Sequence, residues 1–229
     1  MSGNEQIRGG FFYALDDVSL SIEKGSCTII AGPNGCGKSL LMSIIAGLEE
    51  PTSGAVKTSE KTGLVFQEPD AQILGETPRE DIAFGPRNMK LSKSEIQSRV
   101  NSALCETGLE KRADFPARSL SGGEKRRLAA AGVIAMNSQI IIFDEPYANM
   151  DYPGVTQINA LFKKLISEGI TLIILTHELE KCLALANHFI VLCKGKKVFD
   201  GTPEQALLQD LEAWGIHHPL RGKPEDLIW

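Results

Sequence analysis

Apolar positions along the chain fall into short continuous runs that alternate with longer periodic stretches. The runs, rich in β-branched and aliphatic residues, predict strands over 26–31, 62–66, 139–143, 171–175, 188–193 and 196–200. The periodic stretches predict helices over 38–46, 92–108, 121–136, 152–167 and 178–186, with a last helix opened by Thr202 and Pro203. Strands that are apolar on both faces are typical of the centre of a parallel sheet. The pattern therefore predicts an α/β protein whose sheet is mainly parallel, with a hairpin over 188–200.

Two stretches depart from this alternation. The stretch 67–117 is mainly helical and contains four prolines, so we interpret it as an inserted helical subdomain. The stretch 206–229 is a C-terminal tail, rich in Pro, Gly and charged residues from Trp214 onward. It is either a strap that docks a partner or a loose end.

Composition narrows the class of protein. Of the 229 residues, 42% are apolar and 23% are charged, which is typical of a soluble globular protein. No apolar run approaches the roughly 18 residues of a membrane span, and the N-terminus lacks the pattern of a signal peptide, so we expect a cytoplasmic protein. Five scattered cysteines without a CxxC pair argue against a disulfide framework or a zinc site.

The net charge of −5 argues against a partner that is nucleic acid. The basic run Lys125-Arg126-Arg127 is interpreted instead as the covering of a helix face, where it helps to place a nucleotide or a partner carboxylate.

A glycine-rich loop connects the first predicted strand to the first helix. It reads Gly32-Pro-Asn34-Gly35-Cys36-Gly37-Lys38-Ser39, the Gly-x-x-x-x-Gly-Lys-Ser pattern of a phosphate-binding loop. Its backbone N–H groups and the helix N-terminus can surround phosphate oxygens. Lys38 would add a full charge at the β- and γ-phosphates, and the Ser39 hydroxyl would bind Mg²⁺. Cys36 lies inside the loop, so an oxidant or electrophile that reached it would block the nucleotide.

Polar residues follow three other predicted strands. Asp144 and Glu145 end the strand over 139–143, Gln67 follows 62–66, and His177 follows 171–175. Since the carboxyl ends of parallel strands share one edge of a sheet, these side chains should converge there. Asp144 can support Mg²⁺, Glu145 can position or deprotonate a water, Gln67 can touch Mg²⁺ or that water, and His177 can bond the γ-phosphate.

Together these strings resemble an ABC-type ATPase over residues 14–205. Walker A is Gly32–Ser39, the Q-loop residue is Gln67 and the signature is Leu120-Ser121-Gly122-Gly123-Glu124. Walker B ends at Asp144-Glu145, the D-loop is Ala148–Asp151 and the switch histidine is His177. The resemblance implies a P-loop NTPase core (1–66 and 118–205), a reduced antiparallel β-subdomain and the helical insert 67–117.

The resemblance also implies a role for the signature string. In such proteins two ATPase domains face each other head to tail, and Ser121, Gly122 and Gly123 bind the γ-phosphate held by the partner. The chain is therefore expected to dimerise around two ATP molecules, either with itself or with a paralogue.

A narrower resemblance is to the ATPases of energy-coupling-factor importers. It rests on the Q-loop region from Val65 to Gly85, on the residues after the signature, on Gly195–Pro203 and on Leu211–Pro219. This resemblance implies a membrane T-component docking near Gln72–Phe84, a substrate-binding S-component, and a peripheral position on the cytoplasmic face of the membrane. The cargo would be a vitamin or a transition-metal ion.

Four features depart from the family pattern. Leu40 stands where the family usually has a second hydroxyl residue, at a cost of about 1 kcal/mol for one lost phosphate contact. The interval from Lys38 to Gln67 and the segment before Ala14 are both short, which reduces the antiparallel subdomain. Adenine normally stacks on an aromatic residue there, and Phe11, Phe12 and Tyr13 are all candidates. Tyr147 replaces the usual small hydroxyl residue before the D-loop.

Two other functions compete with the importer hypothesis. One is a soluble ABC-type ATPase acting in translation, repair or assembly, but the chain has one cassette and no heptads. The other is a P-loop kinase or GTPase, which leaves the signature string and His177 without a use.

Overall fold

The computed structural model describes residues 7–8, 11–58 and 60–220. Its strands are β1 (Ile7–Arg8), β2 (Phe11–Phe12), β3 (Cys27–Ala31), β4 (Thr62–Val65), β5 (Ile140–Asp144), β6 (Thr171–Leu175), β7 (His188–Cys193) and β8 (Lys196–Gly201). Its α-helices are α1 (Lys38–Ile45), α2 (Pro78–Asn88), α3 (Lys93–Thr107), α4 (Gly122–Ala135), α5 (Tyr152–Ser167) and α6 (Pro203–Ala206). Among the described residues, no helix combines the length and the apolar composition that a membrane-spanning segment needs.

Six strands form one sheet in the order β4-β5-β6-β3-β7-β8. All neighbours are parallel except β7 and β8, which form the predicted antiparallel hairpin. The prediction of a mainly parallel sheet is confirmed. Because β3, β4, β5 and β6 run in one direction, the residues after each of them lie along the same edge of the sheet.

The main core fills the space between this sheet and α5. Phe143 of β5 packs on Phe162 of α5, with ring centroids 4.5 Å apart. Ile29, Phe143 and Ile174, one from each of three central strands, are completely buried. Burial on both faces explains why these strands are continuous apolar runs in the sequence.

A second core lies among α2, α3 and α4. Ile82, Leu104 and Leu128, one from each of these helices, are at most 2% exposed. The helices predicted in the stretch 67–117 are therefore present, and they pack with the helix that follows the signature string. The proposed boundaries of the insert and of the core stay a prediction.

The antiparallel subdomain is small. In the described part of the chain it consists of the ribbon β1–β2. Residues 13–26 have no strand, and their partly buried Leu15, Val18, Leu20 and Ile22 pack directly on the sheet core. This agrees with the reduction that the short sequence intervals predicted.

The prediction of a helix over 178–186 is wrong. The segment forms two 3₁₀ turns, Leu179–Lys181 and Leu183–Leu185, separated by Cys182 with φ −141°. The side chain of Asn159, on α5, donates a hydrogen bond of 2.7 Å to the carbonyl of Lys181. That carbonyl is therefore bonded to a side chain, and tertiary packing overrides the local helical pattern.

The described part of the tail packs on the core. Leu211 and Ile216 are at most 1% exposed, and the ring of Trp214 lies 6.0 Å from that of Phe199. Gly215 has φ +72°, and a Cβ built there would lie 3.4 Å from a side-chain atom of Pro33 in the glycine-rich loop. Up to Leu220 the tail is therefore a strap against this chain's own body, while residues 221–229 lie outside the described residues.

Replacing Tyr147 by phenylalanine is expected to lower the free energy of unfolding by about 1 kcal/mol. The Tyr147 ring is completely buried, and its hydroxyl donates a 2.7 Å hydrogen bond to Asn159 Oδ1, which the variant loses. Urea unfolding of the two proteins measures the difference. Tyr152→Phe is the control, because Tyr152 is 84% exposed. Equal midpoints for Tyr147→Phe and the unmodified chain would show that the bond adds no stability.

Candidate active site

The glycine-rich loop leaves the carboxyl end of β3 and enters α1. A Cβ at Gly32 would lie 2.2 Å from the carbonyl oxygen of Leu192, closer than any real contact. Gly37 has φ +104°, and a Cβ there would lie 2.7 Å from the side chain of Leu15. Close approach at Gly32 and the left-handed backbone at Gly37 both require glycine, which gives the loop its tight turn.

Lys38 is the first residue of α1, and its side chain folds back over the loop. Only 6% of the residue is exposed. Its ammonium group donates to the carbonyl of Gly32 at 2.6 Å and to that of Pro33 at 3.3 Å, and it lies 3.9 Å from Glu145 Oε1. A buried cation is thus positioned between the loop and the end of β5.

Ser39 and Asp144 meet across the same space. The Ser39 hydroxyl donates to Asp144 Oδ2 at 3.5 Å. Burial, followed by the neighbouring Glu145, raises the pKa of the Asp144 carboxyl, and this is opposed by Lys38 and by the Ser39 bond. A divalent cation beside this hydroxyl and carboxylate would favour the charged carboxylate that burial disfavours.

These oxygens fit Mg²⁺ rather than a metal enclosed by protein. Mg²⁺ prefers oxygen ligands and is usually held by one or two protein groups together with phosphates and water. In the described residues there is no group of three or more His, Cys, Asp or Glu side chains that could hold a metal ion. The pair of Ser39 and Asp144 therefore suits an ion that arrives with a phosphorylated ligand.

Glu145 adopts a strained backbone conformation directly after β5. Its φ is +43°, and its N–H donates to the carbonyl of Leu175 at 2.8 Å, which holds the strained turn against β6. Its Oε1 lies 2.9 Å from His177 Nδ1, and its Oε2 is buried without a hydrogen-bond partner among the described residues. The carboxylate is thus held at one oxygen and has a second oxygen available to accept a proton.

An open cavity of about 240 Å³ joins these groups. It is lined by Asn34, Gly35, Gly37, Lys38, Ser39, Leu40, Gln67, Asp144 and Glu145. Gln67 thus lines the same cavity as the glycine-rich loop. His177 is not among the lining residues, but it bonds to Glu145, which is one of them.

Cys36 does not line this cavity. Its residue is 3% exposed and packs in the core with Ile30 and Leu192. Burial raises the pKa of the Cys36 thiol, and the charge of Lys38 opposes this shift. The predicted contribution of Cys36 to ligand binding is therefore limited to its backbone, and its thiol is poorly placed to react with an oxidant or electrophile.

The signature residues lie away from the cavity, at the start of α4. The Ser121 hydroxyl accepts from Glu124 N, while Glu124 Oε2 accepts from Ser121 N, which is a complete capping box. Ser121 and Gly122 are exposed and Gly123 is half-buried. A helix N-terminus exposed in this way can bind an anion that another molecule presents.

The adenine-stacking candidates remain apart from the described cavity. Tyr13 is 44% exposed and is not among the residues that line it. The side chains of Phe11 and Phe12 lie outside the described residues. The assignment among these three aromatic residues stays open.

Arg126 does not cover a helix face, as the basic run in the sequence predicted. Its guanidinium is buried and bonds to the carbonyls of Gln67 and Ala148. The available signal is spacing, because Arg126 lies four residues before Ala130 and three before Ala129, both buried on α4.

Comparison with known proteins agrees with this geometry. Residues 15–148 match the ABC transporter family. The chain is 41% identical over 226 residues to the energy-coupling factor transporter ATP-binding protein EcfA2 of Clostridium tetani. The alignment covers 90% of this chain and 78% of that protein. The structure of cbiO1 from Clostridium perfringens, described as part of the ABC transporter complex cbiONQ, superposes with a TM-score of 0.81 at 34% identity, covering 88% of this chain and 86% of cbiO1.

A second solved structure is the dimer of the ATP-binding cassette MJ0796 in a post-hydrolysis state bound to ADP and Pi. It superposes with a TM-score of 0.74 at 29% identity, covering 86% of this chain and 94% of the MJ0796 chain.

Proposed function

The chain belongs to the ABC transporter family of ATPases, and on that basis we propose that it is the motor subunit of an energy-coupling-factor-type importer. As a member of this family it binds ATP and hydrolyses it to ADP and phosphate in a reaction coupled to transport. The proposed cargo is a vitamin or a transition-metal ion that passes through membrane partners. The observation that carries the proposal is the convergence of Lys38, Ser39, Asp144 and Glu145 on one cavity.

The phosphate loop and Lys38 would hold the triphosphate. Phosphate oxygens can replace the carbonyls of Gly32 and Pro33 as acceptors of the Lys38 ammonium hydrogen bonds. The N–H groups of the loop from Asn34 to Ser39 can add further donors. Leu40 contributes its backbone. Ser39, Asp144 and Gln67 would hold Mg²⁺, which when bound neutralises charge on the β- and γ-phosphates.

Glu145 and His177 would position the attacking water. The free Oε2 of Glu145 can accept a proton from it, while the bond from His177 to Oε1 fixes the carboxylate. His177 is half-exposed, so it can also donate to a γ-phosphate oxygen.

The second half of each site would come from another ATPase subunit. The exposed N-terminus of α4 presents Ser121, Gly122 and Gly123 away from this chain's own cavity, so these residues suit a phosphate held by a partner. The dimeric MJ0796 cassette supports such an arrangement. The partner is either a second copy or a paralogue, and ATP bound between the two subunits would stabilise the dimer.

The membrane partners would dock on the segment after Gln67. Leu74 is 67% exposed and Phe84 is 49% exposed there, so two large apolar side chains are accessible to a partner. We assign this surface to a T-component that in turn carries an S-component. The chain would then be peripheral on the cytoplasmic face of the membrane.

Replacing Gly122 by aspartate is expected to abolish ATP-dependent dimers and lower hydrolysis by at least about tenfold, because a carboxylate at this helix end repels the partner's γ-phosphate. A Cβ at Gly122 meets nothing within 4 Å, so the fold should be unaffected. Light scattering with Mg-ATP measures dimers, and calorimetry measures ATP binding by the single subunit, which should be retained. Gly122→Ala is the control and should dimerise normally. Dimers of Gly122→Asp at normal strength would remove this residue from the site.

The function is tested by affinity purification of the tagged chain from detergent-solubilised membranes of its own host. Recovery of a multi-span T-component with a small S-component supports the importer, and the S-component points to the cargo. Recovery of soluble partners alone, with ATP-dependent dimers intact, would instead indicate a soluble ABC-type ATPase.

A further inference from the structure

Arg126 is a buried cation at the edge of the sheet where the proposed active site lies. It is 6% exposed and projects from α4 between two loops. One terminal nitrogen donates to the carbonyl of Ala148 at 2.7 Å, and the other donates to the carbonyl of Gln67 at 3.2 Å. Those carbonyls belong to the loop after β5 and the loop after β4. One side chain therefore connects the helix behind the signature to two segments of the site.

The charge of Arg126 is incompletely satisfied. Its Nε is buried without a hydrogen-bond partner, and none of the ion pairs found in residues 7–8, 11–58 and 60–220 includes Arg126. Burial lowers the pKa of the guanidinium, and the carboxylates of Glu68 and Glu178 oppose this shift. The hydrogen bonds of this buried charge go to neutral carbonyls, and such an arrangement costs stability.

Glu178 has a buried acceptor atom without a hydrogen bond, where Arg126 has a buried donor. It follows His177 directly, its Oε1 is bonded by Lys181, and its Oε2 is buried without a partner among the described residues. Arg126 Nε and Glu178 Oε2 are therefore a donor and an acceptor, each buried without a hydrogen bond among the described residues, on side chains of opposite charge. A shift that brought these two atoms within hydrogen-bonding distance would satisfy both.

The neighbouring cations are bound elsewhere. Lys125 pairs with Asp70 at 2.6 Å, and Arg127 donates to the carbonyl of Thr107 and to Gln157. Within the basic run, only Arg126 bonds to the carbonyls beside Gln67 and the D-loop.

We propose that Arg126 is a positioning residue that couples α4 to the segments carrying Gln67, Ala148 and His177-Glu178. A change in α4 when a partner's phosphate binds Ser121 would reach Glu145 and His177 through this guanidinium and through Glu178. The inference rests on the proposed function, because it concerns the rate of ATP hydrolysis at that site.

The test compares Arg126→Gln and Arg126→Lys with the unmodified chain in the intact purified complex. We expect kcat for ATP hydrolysis to fall about tenfold in Arg126→Gln, with KM for ATP changed less than about threefold. Arg126→Lys keeps the charge but can reach only one carbonyl well, so its kcat should be intermediate. A merely structural role would lower the amount of active complex without this graded change in kcat per active site.

Glu178→Gln and the double variant complete the measurement. If Arg126 acts through Glu178, the double variant should lose about as much kcat as Arg126→Gln alone, so the two effects are not additive. The control is Arg99→Gln, because half-buried Arg99 bonds to the Ala135 carbonyl and to Glu95, away from the cavity, and its kcat should not change.

These measurements distinguish failure of the proposed function from failure of the coupling through Arg126. Absence of ATP hydrolysis by the unmodified complex would overturn the proposed function. Hydrolysis by the unmodified complex together with unchanged kcat in Arg126→Gln, or with fully additive effects of Arg126→Gln and Glu178→Gln, would overturn the coupling alone.

Discussion

Replacing Glu145 by glutamine is expected to lower ATP hydrolysis by at least about 100-fold and to leave ATP binding intact. Glutamine has nearly the same size but its amide cannot accept the proton that the free Oε2 of Glu145 is placed to accept. Because ATP stays bound, the ATP-dependent dimer should persist. Single-turnover hydrolysis measures the rate, and light scattering after addition of Mg-ATP measures the trapped dimer.

The matched control for this variant is Glu180→Gln. Glu180 is exposed, lies outside the cavity, and loses the same charge as Glu145 when it is replaced by glutamine. It should hydrolyse ATP at the unmodified rate. Fast turnover that persists in Glu145→Gln would show that another group performs this step.

Replacing Lys38 by alanine is expected to weaken binding of Mg-ATP by at least about 100-fold. The ammonium of Lys38 supplies the only full positive charge among the residues lining the cavity, and each charge-assisted bond to phosphate contributes about 1.5–3 kcal/mol. Calorimetric titration with Mg-ATP measures the affinity. Hydrolysis and the ATP-dependent dimer should be lost with it.

Lys24→Ala serves as the control for Lys38→Ala, because the Lys24 side chain is 70% exposed and pairs with Glu60 at the surface. Its ATP affinity should be unchanged. An ATP affinity of Lys38→Ala within about threefold of the unmodified chain would contradict the assignment of the phosphate site.

The strands of the sheet could be predicted because each is recognisable from its own short run of apolar residues. Strands such as Thr171–Leu175 are apolar on both faces, and burial on both faces is what the centre of a parallel sheet requires. The segment after His177 was not predictable, because its helical pattern is overridden by the bond from Asn159 to the Lys181 carbonyl. That bond depends on the position of α5, which the local sequence does not encode.

The same distinction applies to the site. The phosphate loop is a contiguous string, and the convergence of Gln67, Asp144 and His177 follows from parallel strands ending at one edge. The Arg126 bonds depend on how α4 packs against two loops, so only the spacing of its buried neighbours hinted at them. The predicted role of Ser121 needs a second chain and stays a prediction.

The most direct test of an ATP-driven importer measures uptake by the purified complex in lipid vesicles. The complex is oriented with this chain facing the vesicle interior, and ATP is enclosed there. Radiolabelled cobalt, nickel and vitamins are offered outside, with the copurified S-component guiding the choice. The account predicts accumulation that requires enclosed Mg-ATP and that is lost in a complex carrying Glu145→Gln. Equal accumulation without ATP, or with Glu145→Gln, would contradict the claim that hydrolysis at this site drives transport.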